Sequence, residues 1–180
     1  VVWRSWDFGE PDSTALWVFP LAALILIELR IIAMTLAGKS QSLELRFRMW
    51  ESGFNISLPL ALLFGFFFPV PGSLYPKTAC WRYRDLLPEY GLIGLAGALP
   101  SLLVAWATFL LMQFTTPTPW VDNAISFTFQ AAFFFSIFDI LLIFFPFVSF
   151  NGRRIWDWNK AVWAMLAVMV IGLFVLGMML

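Results

Sequence analysis

The 180-residue sequence contains no histidine and a single cysteine, Cys80. Lack of histidine removes the commonest zinc ligand and the commonest general base at neutral pH together. One cysteine cannot close a disulfide within these residues, and it leaves the redox compartment open. Cys80 alone is also a poor basis for a copper or iron site, so no metal and no cofactor is expected. Charge is scarce as well. Only 12% of residues are charged and the net charge is zero, which leaves no basic surface for nucleic acid and no electrostatic anchor.

What the chain has in excess is apolar sequence. Hydrophobic residues make up 61%, and the mean hydropathy is +0.84. Such values belong to polytopic membrane proteins. Four apolar runs, 14–37, 91–113, 123–147 and 161–180, approach the roughly 20 residues a helix needs to cross about 30 Å of hydrocarbon. The expected fold is therefore an all-α integral membrane protein, a single polytopic domain over residues 1–180. The first residue is Val1, so residues before it are expected. The first run is too long, and too polar at its end, for a signal peptide.

Residues 1–13 read as an interfacial lead-in with Ser13 as N-cap. The first span carries Glu28 and Arg30, whose i,i+2 spacing sends them to different helix faces, so they do not pair with each other. Residues 38–53 read as an amphipathic helical extension with solvated charges. The apolar segment 56–70 is too short for a full crossing and is interrupted by Pro59 and Pro69. Lys39, Arg46 and Arg48 precede it, and Lys77, Arg82 and Arg84 follow. Cytoplasmic loops collect Lys and Arg, so both flanks are expected on one side and 56–70 as a re-entrant hairpin.

The aromatic and basic stretch at 80–84 suits a headgroup anchor. Gly91, Gly94 and Gly97 open the second span with a face free of side chains, where another backbone can approach. Residues 114–122 have no Lys or Arg and belong outside. Asp139 lies inside the third span at a depth matching Arg30, so the two are expected to form an intramembrane ion pair. Glu28 is left as an unpaired intramembrane acid. Residues 144–159 read as a membrane exit. Pro146 ends the helix, Asn151 and Gly152 turn the chain, Arg153 and Arg154 sit in water beside headgroups, and Trp156 and Trp158 lie at the interface.

This exit resembles the Pro-x-x-Pro-Leu-Asp-Gly segment of the site-2 protease family, intramembrane zinc metalloproteases, in its archaeal form. Pro146 and Gly152 keep their places, whereas Ser149, Phe150 and Asn151 replace the second proline, the leucine and the zinc-ligand aspartate. The resemblance extends over about residues 14–163. Aligned on Gly53, the family's His-Glu-x-x-His falls on Gln41-Ser42-Leu43-Glu44-Leu45; two residues later it keeps Glu44 as the acid, with Leu43 and Phe47 at the histidines. Pro71-Gly72-Ser73-Leu74-Tyr75 is similar to the family's Pro-Gly-Ala-Val-Tyr. The Gly97 region is similar to its Ala-Gly-Pro-Leu-Thr-Asn, with Ala98, Pro100 and Ser101 at the proline, threonine and asparagine.

The resemblance implies a degenerate protease fold whose site positions Gln41, Ser42, Leu45 and Asn151 hold no zinc. It further implies a scaffold or binding subunit of a larger archaeal membrane complex, with lipid and other membrane subunits as partners. The expected location is the plasma membrane, multi-pass, with the N-terminus outside. Two other functions fit the residues: transport or proton conduction through Glu28, Arg30 and Asp139, and a metal-free enzyme using Asp139, Glu44 or Asp157. Cysteine-accessibility labelling of this topology should place positions 39 and 77 on one membrane face and positions 114–122 on the other. Opposite faces for 39 and 77 would exclude the re-entrant arrangement.

Overall fold

The structure, a computed structural model, describes residues 13–49, 55, 72–77, 86–114, 118–143 and 150–179. Expectations for the lead-in before Ser13, the segment 56–70, Pro71, the 80–84 stretch, Pro146 and Ser149 lie outside the described residues. Among the described residues, four helices are long and apolar enough to cross a membrane. These are α1 (Ser13–Ser40), α2 (Leu87–Phe114), α3 (Pro119–Ser136, extended by a π-helical turn, Ile137–Leu141) and α5 (Lys160–Met179). A short helix α4 (Asn151–Trp158) precedes α5, and an antiparallel pair of strands, β1 (Leu45–Met49) and β2 (Gly72–Pro76), lies between α1 and α2.

Helix α2 lies at the centre of the bundle and packs against α1, α3 and α4, while α1 also packs on α3. Its inner face is lined by small and medium side chains, Ala98, Leu102 and Ala105, which meet Leu26 of α1 and Phe129 and Phe133 of α3 in one core. Small residues let helices approach closely, which matters where lipid tails offer the same apolar environment as a neighbouring helix. Phe129 and Phe133 stack with centroids 5.6 Å apart, and Phe109 of α2 closes on Phe129 at 5.9 Å. The outward faces of α1 and α5 remain apolar and exposed, as at Leu24, Ile32, Val168 and Met178.

The amphipathic helical extension expected after α1 is not there. The helix ends at Ser40, and the chain turns through Ser42, which takes a positive φ of 55°. The turn satisfies the helix's last carbonyls: Gln41 N and Leu43 N donate to Gly38 O, Ser42 N donates to Lys39 O, and the Gln41 side-chain amide donates to Ala37 O. Satisfying these groups is what stops a helix cleanly. Beyond it, Leu45, Phe47 and Met49 alternate with Arg46 and Arg48, a period-two pattern that fits a strand rather than a helix. Leu45 pairs with Pro76, Phe47 with Leu74 and Met49 with Gly72. Gly72 is required by a close approach, since a Cβ there would lie 2.6 Å from Arg48 O.

The third apolar run, expected as a span over 123–147 with its helix ended by Pro146, changes pitch at Ile137, and its helical part closes at Leu141. Asn151 and Gly152, expected as a tight turn, are the first two residues of α4. A Cβ on Gly152 would collide with Ile140 O, so the backbone of α4 rests directly on the π turn. Helix α4 breaks from α5 at Asn159, whose φ of −150° is extended. The Asn159 Oδ1 accepts hydrogen bonds from Ala161 N (3.0 Å) and Val162 N (3.2 Å), capping α5. Asn159→Ala should therefore cost about 1 kcal/mol, seen as a lower thermal unfolding midpoint in detergent, whereas Asn159→Asp should be nearly neutral.

Candidate functional site

The membrane-spanning bundle contains a buried polar hub of four side chains from three separate elements. Arg30 of α1, Asp139 of the π turn, and Asn151 and Arg154 of α4 are each no more than 4% exposed. Polar side chains at this depth are unstable unless their hydrogen-bonding groups are met. Asp139 is met on both oxygens. Its Oδ1 accepts from Arg30 Nη2 at 3.1 Å and from the Asn151 backbone N–H at 3.0 Å. Its Oδ2 accepts from Arg30 Nε at 3.3 Å and from Asn151 Nδ2 at 2.7 Å.

Local structure explains how these groups converge. Leu26, Arg30 and Met34 recur every four residues on the buried face of α1. A π turn carries an extra residue per turn and re-aims the side chains within it. Asp139 sits mid-turn, and Ile140 O is left to accept from Trp163 Nε1 of α5 at 2.8 Å. The Asn151 N–H is one of the donors that a helix start leaves without an intrahelical acceptor, and the Asp139 carboxylate supplies that acceptor at the positive end of the α4 dipole. Helix α4 can reach this position because α2 offers glycines where it passes. A Cβ on Gly91 would collide with the Trp158 ring, one on Gly94 would lie 3.1 Å from Arg154 Cβ, and one on Gly97 would lie 2.5 Å from Asn151 Nδ2.

The two arginines also hold the strand pair. Lys77 N donates to Glu44 O at 2.8 Å, and with the antiparallel alternation this directs the carbonyls of residues 72 and 74 away from β1. Arg30 Nη1 donates to Gly72 O at 2.6 Å and Arg154 Nη1 donates to Leu74 O at 3.1 Å. A buried strand edge is thereby satisfied by side chains instead of a third strand. The Arg154 guanidinium also lies 4.4 Å from the Tyr75 ring centroid and 5.7 Å from that of Tyr90. Burial pushes its pKa below the usual arginine range, a shift opposed by Tyr75.

Arg30 and Asp139, singled out together by their matching depth, and Asn151, singled out by the resemblance, lie in one place. Gln41 and Ser42 lie beyond the end of α1 in the turn, and Leu45 lies in β1 beside Gly38. With a turn at 41–42 and a strand from Leu45, positions 41 and 45 do not share a helix face, nor do 43 and 47. The i,i+4 series on the buried face of α1 is Ala22, Leu26, Arg30 and Met34 instead. Glu28 is exposed on the outward side of α1, away from the hub, so Glu28, Arg30 and Asp139 do not line a common face. Glu44 pairs with Lys77 at 3.1 Å and Asp157 with Arg153 at 3.0 Å, both away from Asp139. Arg154, expected in water beside headgroups, is the buried cation of the hub, while its neighbour Arg153 is the exposed one. The missed signal was helical spacing: Arg154 lies three residues after Asn151, on the same face of α4.

Fold and hub together define a multi-span helical membrane protein with an ion-paired centre. Over 128 residues, 70% of this chain, the sequence is 33% identical to a protein of Methanocaldococcus jannaschii that bears the name "putative zinc metalloprotease". The chain spans 62% of that relative's length. No family model and no solved structure matches the chain. A catalytic zinc needs imidazole, thiolate or carboxylate donors with one open position. The chain has no histidine, and among the described residues no three His, Cys, Asp or Glu side chains gather. Both oxygens of the hub's one carboxylate are taken, and the side chain facing it is a cation. The residues do not fit a metal.

Removing one member of a buried charge pair leaves the other uncompensated, which typically costs about 3–5 kcal/mol. Asp139→Asn and Arg30→Gln are each expected to destabilise on that scale, and the double variant by clearly less than the sum. Reversible unfolding in mixed micelles would measure it. Fully additive losses would show that the two groups are not coupled.

Proposed function

We propose that this chain is a non-catalytic relative of the site-2 proteases that serves as a scaffold or accessory subunit of a larger membrane assembly. One observation carries the proposal. Where a metalloprotease helix would present imidazoles toward an aspartate on a second element, α1 presents Leu26 and Arg30, and Arg30 faces a carboxylate saturated by Asn151. The buried face of α1 thus brings leucine and arginine, and no imidazole, toward the hub. Neither side chain is a zinc ligand, since leucine has no donor atom and a guanidinium offers N–H groups but no lone pair to a metal. Without a metal, nothing here lowers the pKa of water toward 7.

The features retained from the resemblance support contact over chemistry. Gly72, Gly97 and Gly152 all sit where a Cβ would strike a neighbouring group. The similarity to the Methanocaldococcus protein supports the kinship, and the broad apolar faces of α1 and α5 support partners within the membrane. The basic flanks favour the N-terminus outside, the hub end inside, and residues 56–70 re-entering, with Met49 and Gly72 paired at the mouth of that excursion. Purified protein is expected to contain no stoichiometric zinc and to leave a membrane-helix substrate intact, by elemental analysis and a cleavage assay. One bound zinc per chain, or cleavage abolished by Asn151→Ala, would overturn the proposal.

A further inference from the structure

The outward face of α1 carries a single carboxylate within an otherwise apolar stripe. Leu21, Leu24, Ile25, Ile32 and Leu36 are each at least half exposed, and Glu28 is exposed among them. These positions recur at three- and four-residue intervals, so they form one continuous band along the helix. The span runs from Trp17 to Ser40, which puts Glu28 at its midpoint. At about 1.5 Å per residue it lies roughly 17 Å from either end, near the bilayer centre. Charged side chains at that depth are rare and normally meet a partner.

The chain supplies no such partner among its described residues. Arg30 is turned inward and committed to Asp139 and Gly72 O. Outside the described residues the Lys and Arg side chains are Arg4, Arg82 and Arg84, in stretches whose composition suits the membrane interfaces and not the middle of a span. A second copy docked through the same face about a two-fold axis would set Glu28 near Glu28, like charge against like.

From the charge and its surroundings we propose that this stripe is a docking face for one transmembrane helix of a different protein, bearing a lysine or arginine at its midpoint opposite Glu28. Leucine and isoleucine on both sides of Glu28 supply the apolar contact that excludes lipid from the pair. The carboxylate fixes depth and partner identity, because a helix without the cation would leave Glu28 unmet. This inference rests on the accessory-subunit reading above, and names the surface and the partner chemistry that such a role requires.

The test uses the full chain, donor-labelled and reconstituted in phosphatidylcholine vesicles. Acceptor-labelled synthetic Leu/Ala helices of about 21 residues, with Lys, Gln or Leu at the centre, serve as probes. Interhelical polar contacts in membranes are worth about 1–2 kcal/mol, so the Lys probe should half-saturate energy transfer at about tenfold lower concentration than the Leu probe. Glu28→Leu should erase that preference while keeping the thermal midpoint and tryptophan emission. Val168→Leu, on the outward face of α5, should leave the preference intact. Equal binding of Lys and Leu probes, or a Lys preference that survives Glu28→Leu, would overturn the proposal. A Gln probe as good as Lys would reassign the partner as a neutral donor. Glu28-dependent transfer between two labelled copies, without a Lys preference, would reassign the face to self-association. Zinc and proteolysis do not enter this measurement, so its failure is distinct from failure of the accessory-subunit reading.

Discussion

The Asp139 carboxylate is the group on which the rest of the hub depends. An ionised carboxylate in a low-dielectric interior is tolerated only when charge and hydrogen bonds compensate it. Here the compensation comes as four donated hydrogen bonds, two from Arg30 and two from Asn151. Those donors sit on α1 and α4, so satisfying one side chain fixes three elements relative to one another. Arg30 then reaches Gly72 O and adds β2 to the set. An apolar membrane protein has little hydrophobic force acting between its helices. A directional interaction of this kind specifies which surfaces meet.

Glycine makes the arrangement geometrically possible. Helix α4 is short and amphipathic, and it lies against α2 where Gly91, Gly94 and Gly97 leave room for Trp158, Arg154 and Asn151. On its other side Gly152 rests on the backbone of the π turn. With larger residues at these positions Asn151 would stand too far from Asp139 to donate. Arg154 uses the same close approach to reach Leu74 O and the faces of Tyr75 and Tyr90. Two guanidiniums thus satisfy the buried edge of β2, a task that in most sheets falls to another strand.

This economy of hydrogen bonds bears on function. A catalytic metal site keeps a coordination position open and holds its ligands deprotonated and facing the ion. The hub does the opposite, with both Asp139 oxygens occupied and Arg30 pointing inward. Its chemistry is that of a joint between elements, and the exposed apolar faces of α1 and α5 surround that joint.

The sequence by itself determined the membrane class and the number of long apolar helices, because hydropathy over about 20 residues is a property of the run and needs no neighbour. It also picked out Arg30, Asp139, Asn151 and the three glycines as residues out of place in a simple lipid-facing helix. Locally encoded turns were harder to read. The αL residue Ser42 ended α1 where continued amphipathic helix was expected, although the alternation from Leu45 to Met49 already carried a strand period. What only the tertiary structure decided was which charges meet and which face outward. Arg153 and Arg154 are adjacent in sequence and alike in chemistry, yet one pairs at the surface with Asp157 and the other is buried against Tyr75. Glu28 and Arg30 are two residues apart, and the helix rotates them onto different faces. Burial of a charge depends on what the opposite element brings, and that information resides in residues more than a hundred positions away along the chain.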